Sequence, residues 1–322
     1  MTKPINYFSS DENGNENEYE ISVIIPAYNA AETIGRAVDS VRIQKIASLE
    51  IIIIDDGSTD NTAEIIEALT RHDCNIHLVR MAKNSGVSAA RNEGIRQARG
   101  EFLAFLDADD VWLADKLSKQ ITEIRTNPQI SLVSCNSHLI SESGEYLKEG
   151  HVNRRPVEGI DAWKTLLIYN FLPTPTVLTY RHLVQTLGGF NENLAVGEDL
   201  DLWIRLALMG EVRVLKDVLI HYYDSSGSLM KRYLSQSETI VMPMLELHLF
   251  EQKKKLTVVE IRNIRGLRSF QMGCNLFFAG EYLESIPIFM RAAISGVRPI
   301  KSLLYIPRAL FMAVINWTLR KI

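Results

Sequence analysis

The stretch FLDADDVW, residues 105–112, runs an apolar strand pattern directly into three aspartates within four positions. Asp107 and Asp109 stand two residues apart, and on a strand end that spacing points both carboxylates to one side. Their repulsion is tolerable if a hard divalent cation sits between them and a phosphorylated ligand. Mg2+ or Mn2+ takes one or two protein carboxylates and fills its remaining positions with water and phosphate oxygens. The plainer reading is a helix start, with Asp109 or Asp110 capping a helix expected over 112–124. Further on, GEDLDLW places Glu198 and Asp199 at the opening of another expected helix, 198–209. A helix N-terminus favours an ionised carboxylate, which is the state a general base requires.

Such acids need a scaffold, and the apolar pattern supplies one. ISVII at 21–25 and EIIII at 50–54 are short β-branched runs of the kind found in buried parallel strands. Strands are also expected at 76–80 and 102–106. Pro26 is expected to end the first strand, and Asn29 with Glu32 resembles a capping box for the next helix. Helices are expected from near Asn61 and over 86–98, the latter closed by Gly100 as a C-terminal cap glycine. Strands alternating with helices predict an α/β fold, a Rossmann-like, mostly parallel sheet flanked by helices. Ligands of such sheets bind at the carboxyl ends of the strands. The polar loops PAYN, DDGSTD and DADD all fall there. From 130 to 190 the pattern is less regular: a strand over SLVSCNSHLI, a helix over 159–170 and an extended LPTPTVLTY.

Composition sets bounds on the class. The 322 residues are 46% hydrophobic and 23% charged, as in a globular protein with a substantial core. Three cysteines without a CxxC pair argue against a disulfide framework or a zinc site and predict a reducing, cytoplasmic location. The acidic, polar start reads as a disordered lead-in over 1–20, without the apolar run of a secretory leader. Residues 251–322 hold twelve Lys and Arg against four Glu, a balance of +8, which leaves −12 for the first 250 residues of a chain whose total is −4. An acidic main body gives nucleic-acid binding no support.

The blocks SVIIPAYN, IIIDDGSTD, NSGVSAARN, FLDADD and GEDLDLW occur in this order. Together they resemble the family 2 glycosyltransferases of the GT-A fold, across about residues 21–232. The resemblance implies an inverting enzyme that uses a sugar nucleotide, with a nucleotide-binding half over 21–125 and an acceptor-binding half over 126–235. It implies that Pro26, Ala27 and Tyr28 lie along base and ribose, and that Asp56 accepts a ring N–H of the base. Arg91 would approach the ribose or diphosphate, Asp107 the ribose or the metal, and Asp109 would be the main ligand of Mg2+ or Mn2+. Asp199 would take the proton from the acceptor hydroxyl, while Glu198 orients the acceptor or the helix start. The residues by themselves leave alternatives open: an Asx-type turn for Asp55, Ser58 and Asp60, a structural salt bridge for Arg91, a solvated or capping Asp201, and a core position for Trp203.

One departure stands out. Members of the family carry an aromatic pair followed by Arg after this last helix, whereas HYYDSSGSLMKR has Asp224 at that place. Lys231 or Arg232 would then supply the diphosphate contact, and His221 is a candidate third metal ligand. From 256 onward the pattern is helical, with one tetratricopeptide-like hairpin turning at Gly280, so residues 236–322 are expected to form a helical C-terminal extension. Its last segment, interrupted at Pro307 and Arg308, is too short and too charged to span a bilayer; it suits an anionic membrane surface, the alternative being a helix packed on the catalytic domain or in a dimer interface. The expected function is transfer of a sugar, from a UDP-sugar, to a saccharide or lipid-linked saccharide in cell-surface polysaccharide assembly. The competing readings are a sugar nucleotidyltransferase, which should show a glycine-rich basic loop after the first strand, and a non-catalytic nucleotide-sugar-binding or scaffold protein.

Overall fold

The computed structural model describes residues 19–141, 143–150, 157–224 and 237–319. The chain divides into two compact units, one of Met1–Trp163 with Phe171–Ser226 and one of Lys164–Asn170 with Gly227–Ile322.

The first unit is a nine-stranded sheet with helices packed on it. Its strands are β1 (Tyr19–Ala27), β2 (Leu49–Asp55), β3 (Ile76–Arg80), β4 (Gly100–Phe105), β5 (Val111–Trp112), β6 (Ile130–Ser141), β7 (Tyr146–Glu149), β8 (Leu178–Tyr180) and β9 (Glu211–Asp224). The order is β3-β2-β1-β4-β8-β6-β9-β5, with β7 beside β6. Strands β3 to β4 in that order are parallel. Beyond them β8 runs antiparallel to β4 and β6, β9 returns parallel to β6, and β5 closes the edge antiparallel to β9. The helices are α1 (Ile34–Arg42), α2 (Thr62–His72), α3 (Val87–Gln97), α4 (Lys116–Ile124), α5 (Ala162–Leu166), whose residues from Lys164 on belong to the second unit, α6 (Arg181–Thr186) and α7 (Glu198–Met209). Val23, Ile25, Ile51 and Ile53 are buried with Ile34, Val38 and Ile66 of α1 and α2 in the principal core. That burial explains why these strands are continuous apolar runs rather than alternating ones.

Several local expectations are corrected. β1 continues through Pro26 to Ala27, pairing Pro26 with Ile54. Pro26 shares the parity of Ile24, whose carbonyl faces the β4 side and takes the Leu106 N–H. The β4 ladder ends at Phe105, so Pro26 lies beyond the paired stretch on that side, where a missing N–H breaks no ladder bond. Asn29 caps no helix: α1 starts later, at Ile34, and Asn29 adopts a left-handed φ of 50°. Gly100 opens β4 instead of closing a helix. A Cβ at Gly100 would lie 2.5 Å from the Ser22 nitrogen, so close strand approach is what requires glycine here. The helix expected over 112–124 begins at Lys116 because Val111 and Trp112 are taken by β5. The helix expected over 159–170 is confined to Ala162–Leu166.

In the second unit α8 (Ser237–Glu251) is followed by α9 (Val258–Phe278), α10 (Tyr282–Ile294) and α11 (Pro299–Leu319). Thr257 opens α9 with a reciprocal capping box, its hydroxyl taking the Glu260 N–H while Glu260 takes the Thr257 N–H. Bonds from Thr257 and from Lys164 hold the Glu260 carboxyl down at about 2. The turn between α9 and α10 carries Gly280 at φ 88°, as the hairpin expectation requires. Gly273 lets Phe289 press on α9, where a Cβ would meet that ring at 2.8 Å. α11 is continuous through Pro307, which corrects the expected interruption. No described helix is long and apolar enough to cross a membrane.

Candidate active site

The loops after β1 and β2 are stitched together by their own polar groups. Asn29 N–H donates to the Ser58 hydroxyl at 3.0 Å, and Thr59 N–H donates back to the Asn29 side chain at 2.8 Å. Ala30 N–H donates to Thr62 Oγ1 and Asp56 N–H to the Ala27 carbonyl, both at 2.8 Å. Asp55 accepts from Ser58 N–H, three residues on, at 3.1 Å, and Asp60 accepts from Thr62 N–H, two residues on, at 3.0 Å, so Asp60 forms the Asx turn. Tyr28 stands at the rim, 48% exposed, beside a half-buried Pro26, while the Ala27 methyl packs in the core.

Asp56 is buried at the end of β2, and its two oxygens accept the N–H groups of Ser85 and Gly86 at 2.8 and 2.9 Å. These are the two amides immediately before α3, so the carboxylate lies near the positive end of that helix. Burial raises its pKa despite those two bonds, and neighbouring Asp55 adds to the rise.

Arg91, from α3, joins two of the expected acids. Its Nη2 donates to Asp107 at 2.7 Å and its Nη1 to Glu198 at 2.9 Å. The guanidinium is buried and lies 5.2 Å from the Phe190 ring centroid. Desolvation opposes its charge, but Asp107, Glu198 and Asp199 outweigh it and raise the Arg91 pKa. The end of β4 and the start of α7 are thereby held on one cation. Asp199 follows Glu198 in the first turn of α7, accepting the Leu200 N–H at 2.7 Å. Asp201 is neither solvated nor a cap: Arg205 donates two bonds to it and others to the Leu187 and Gly189 carbonyls, which fixes the glycine-rich loop before α7. Trp203 is fully buried against Phe105 and Phe190.

Asp110 does not cap α4. It is buried, one oxygen accepting the Tyr223 N–H at 2.8 Å and Oδ2 lying without a hydrogen-bond partner. Burial, then the charges of Asp109 and Asp107, push its pKa well up. Two residues escaped the sequence reading. Burial and then Asp110, Asp107, Asp109 and Asp199 push the Tyr222 phenol up, so it stays a protonated donor among acids. Arg36 donates to the Asp109 carbonyl at 2.6 Å and lies 3.9 Å from the Tyr223 ring centroid. The available signal was the period-two alternation of HYYD, which sends Tyr222 and its neighbours to opposite faces of β9.

His221 pairs in register with Val111 and His138, and its ring stacks on His138 at 5.9 Å and 14°. Burial and the His138 ring lower its pKa. Among the described residues no three His, Cys, Asp or Glu side chains converge as a metal-ligand set, so Asp107, Asp109 and His221 are not brought together as a trio. The carboxylates of the β4 loop still suit a hard cation: burial with the charges of Asp109 and Asp107 raises the pKa of Asp110, and the buried Asp110 Oδ2 lacks a partner. Lys231 and Arg232 lie outside the described residues.

Parallel strands ending in acidic loops, with a mixed half bearing α7, define the GT-A nucleotide-diphospho-sugar transferase fold. Residues 22–181 match the family model Glycosyl transferase family 2, so this stretch of the chain is a glycosyltransferase family 2 domain. An uncharacterized glycosyltransferase of Rickettsia conorii is 37% identical over 191 residues, 59% of this chain and 30% of that protein. The Escherichia coli UDP-Glc:alpha-D-GlcNAc-diphosphoundecaprenol beta-1,3-glucosyltransferase WfgD is 38% identical over 126 residues, 39% of this chain and 49% of WfgD. The chain thus spans less than half the length of either relative. The mannosyltransferase PcManGT of Pyrobaculum calidifontis, solved with GDP-Man and Mn2+, shares the fold at a TM-score of 0.59 and 17% identity, covering 92% of this chain and 86% of that one.

Proposed function

We propose that this chain is an inverting glycosyltransferase that moves a sugar from a UDP-sugar to a saccharide or lipid-linked saccharide acceptor in cell-surface polysaccharide assembly. The observation that carries the reading is the Arg91 bridge, which fixes Asp107 of the donor loop beside the helix start that bears Asp199. Asp199 takes the proton from the acceptor hydroxyl. The freed oxygen attacks the anomeric carbon from the face opposite the diphosphate. The C–O bond to the diphosphate breaks, its electron pair leaves with the nucleoside diphosphate, and the configuration inverts. Glu198, held by Arg91, orients the helix start.

On the donor side, Pro26, Tyr28 and the Ala27 backbone border the base and ribose. Asp56 keeps a second lone pair on each oxygen for a ring N–H of the base. Asp109 with Asp107 would hold Mg2+ or Mn2+, which when bound neutralises charge on the departing diphosphate. WfgD, named for a UDP-Glc donor and a diphosphoundecaprenol acceptor, supports both the UDP donor and a lipid-linked acceptor. Three cysteines without a CxxC pair and the basic C-terminal segment support work at the cytoplasmic face of a membrane.

A panel of sugar nucleotides with Mn2+ tests the reading by donor hydrolysis and transfer. Asp199→Asn should abolish turnover while donor binding stays nearly intact. Turnover that survives both Asp199→Asn and Asp109→Asn would overturn it, as would binding without turnover in the unaltered chain.

A further inference from the structure

α11 turns its apolar side outward. Ile300, Leu303, Leu304 and Phe311 recur at helical spacing along one stripe and are between 53% and 74% exposed. The opposite stripe is the packed one: Ser302 and Ala309 are fully buried, and Tyr305 stacks on Phe289 at 4.8 Å and 13°. A helix that had only to pack on its own hairpin would show polar residues to water. This one places exposed Lys301 and Arg308 along one border of the apolar stripe. The surrounding segment, 251–322, carries +8.

We propose that this stripe of α11 lies in the headgroup region of an anionic bilayer, with Lys301 and Arg308 on lipid phosphates. A large apolar stripe flanked by cations, on a helix that cannot span, is the pattern of an in-plane interfacial helix. A second copy of the chain is the poorer occupant. Pairing the same stripe about a twofold axis would bring two +8 segments together. The proposal sharpens the membrane-side location of the proposed function, yet it rests on this helix alone. It stands or falls without any assay of transfer.

The experiment is co-sedimentation of the full chain with vesicles of phosphatidylcholine, alone or doped with phosphatidylglycerol. Binding to the anionic vesicles should exceed binding to neutral ones by roughly tenfold or more and weaken as salt is raised. Leu304→Glu with Phe311→Glu should remove binding while the melting transition is unchanged. Lys301→Gln with Arg308→Gln should keep residual binding but lose the preference for anionic lipid. Absence of binding to either vesicle would overturn the proposal, and so would binding that the two Glu substitutions leave intact. A dimer in solution that those substitutions dissolve would assign the stripe to a second copy instead.

Discussion

Arg91 and Glu198 are 107 positions apart in sequence, yet their side chains meet at 2.9 Å in a buried site, with Asp107 held on the same guanidinium. Removing the cation leaves two acids side by side with no countercharge. Arg91→Met is therefore expected to cost about 3 kcal/mol of stability and to abolish transfer. Arg91→Lys, which cannot fork to both acids, should recover part of the stability and little of the turnover. Thermal melts with single-turnover transfer assays check both. A variant that melts normally and turns over would show that the bridge is ornamental.

Asp109 should matter for metal rather than for folding. Ligand that binds only the folded state raises stability by about 2.7 kcal/mol at a hundred times its dissociation constant. UDP with Mn2+ should therefore shift the melting midpoint of the native chain clearly upward. In Asp109→Asn that shift should shrink towards the value seen with UDP and a chelator, while the ligand-free midpoint stays where it was. Equal shifts in both proteins would remove Asp109 from the donor site.

Lys116 gives a pH signature. It is fully buried, donates to Gln120 at 2.7 Å and lies 3.9 Å from the Trp112 ring centroid. Burial lowers its pKa to about 8, against a small opposing effect from Cys135. The folded state therefore gives up this proton before the unfolded chain does, and the unfolded chain binds more protons between pH 8 and the ordinary lysine value. Stability contributed by this group must rise with pH across that window. Below pH 8 the buried charge costs roughly 3 kcal/mol relative to the neutral form. Lys116→Met should melt higher near pH 7 and lose the upward slope above pH 8. A slope that persists in the variant would place its origin elsewhere.

Gly100 sets the seam between β1 and β4. Gly100→Ala would drive a Cβ to 2.5 Å from the Ser22 nitrogen and 2.8 Å from the Ser22 hydroxyl. That hydroxyl donates to the buried Glu50 carboxylate at 2.6 Å and accepts the Gly100 N–H at 2.8 Å. The substitution should cost about 1–3 kcal/mol without changing donor affinity in the fraction that folds. Denaturant midpoints and UDP titration check it, and an unchanged midpoint would mean that the strands separate easily there.

Much of this protein is determined locally. Short apolar runs specify β2, β3 and β4 to within a residue or two, and the acid-rich first turn specifies α7 at its observed bounds. Those signals are periodicity and end chemistry, which neighbouring residues carry between them. What tertiary structure alone decided are the partners. Asp110 was expected to serve the next helix and instead takes an N–H from Tyr223, 113 positions away. Asn29, expected at a helix start, binds the β2 loop. Arg36 and Tyr222 acquire their settings only when α1 and β9 converge on the β4 loop. A carboxylate looks the same in sequence whether it caps, pairs or waits for a cation. Which of these it does depends on the charges and amides that the fold brings within a few ångströms, and that proximity is set by strand order, not by spacing along the chain.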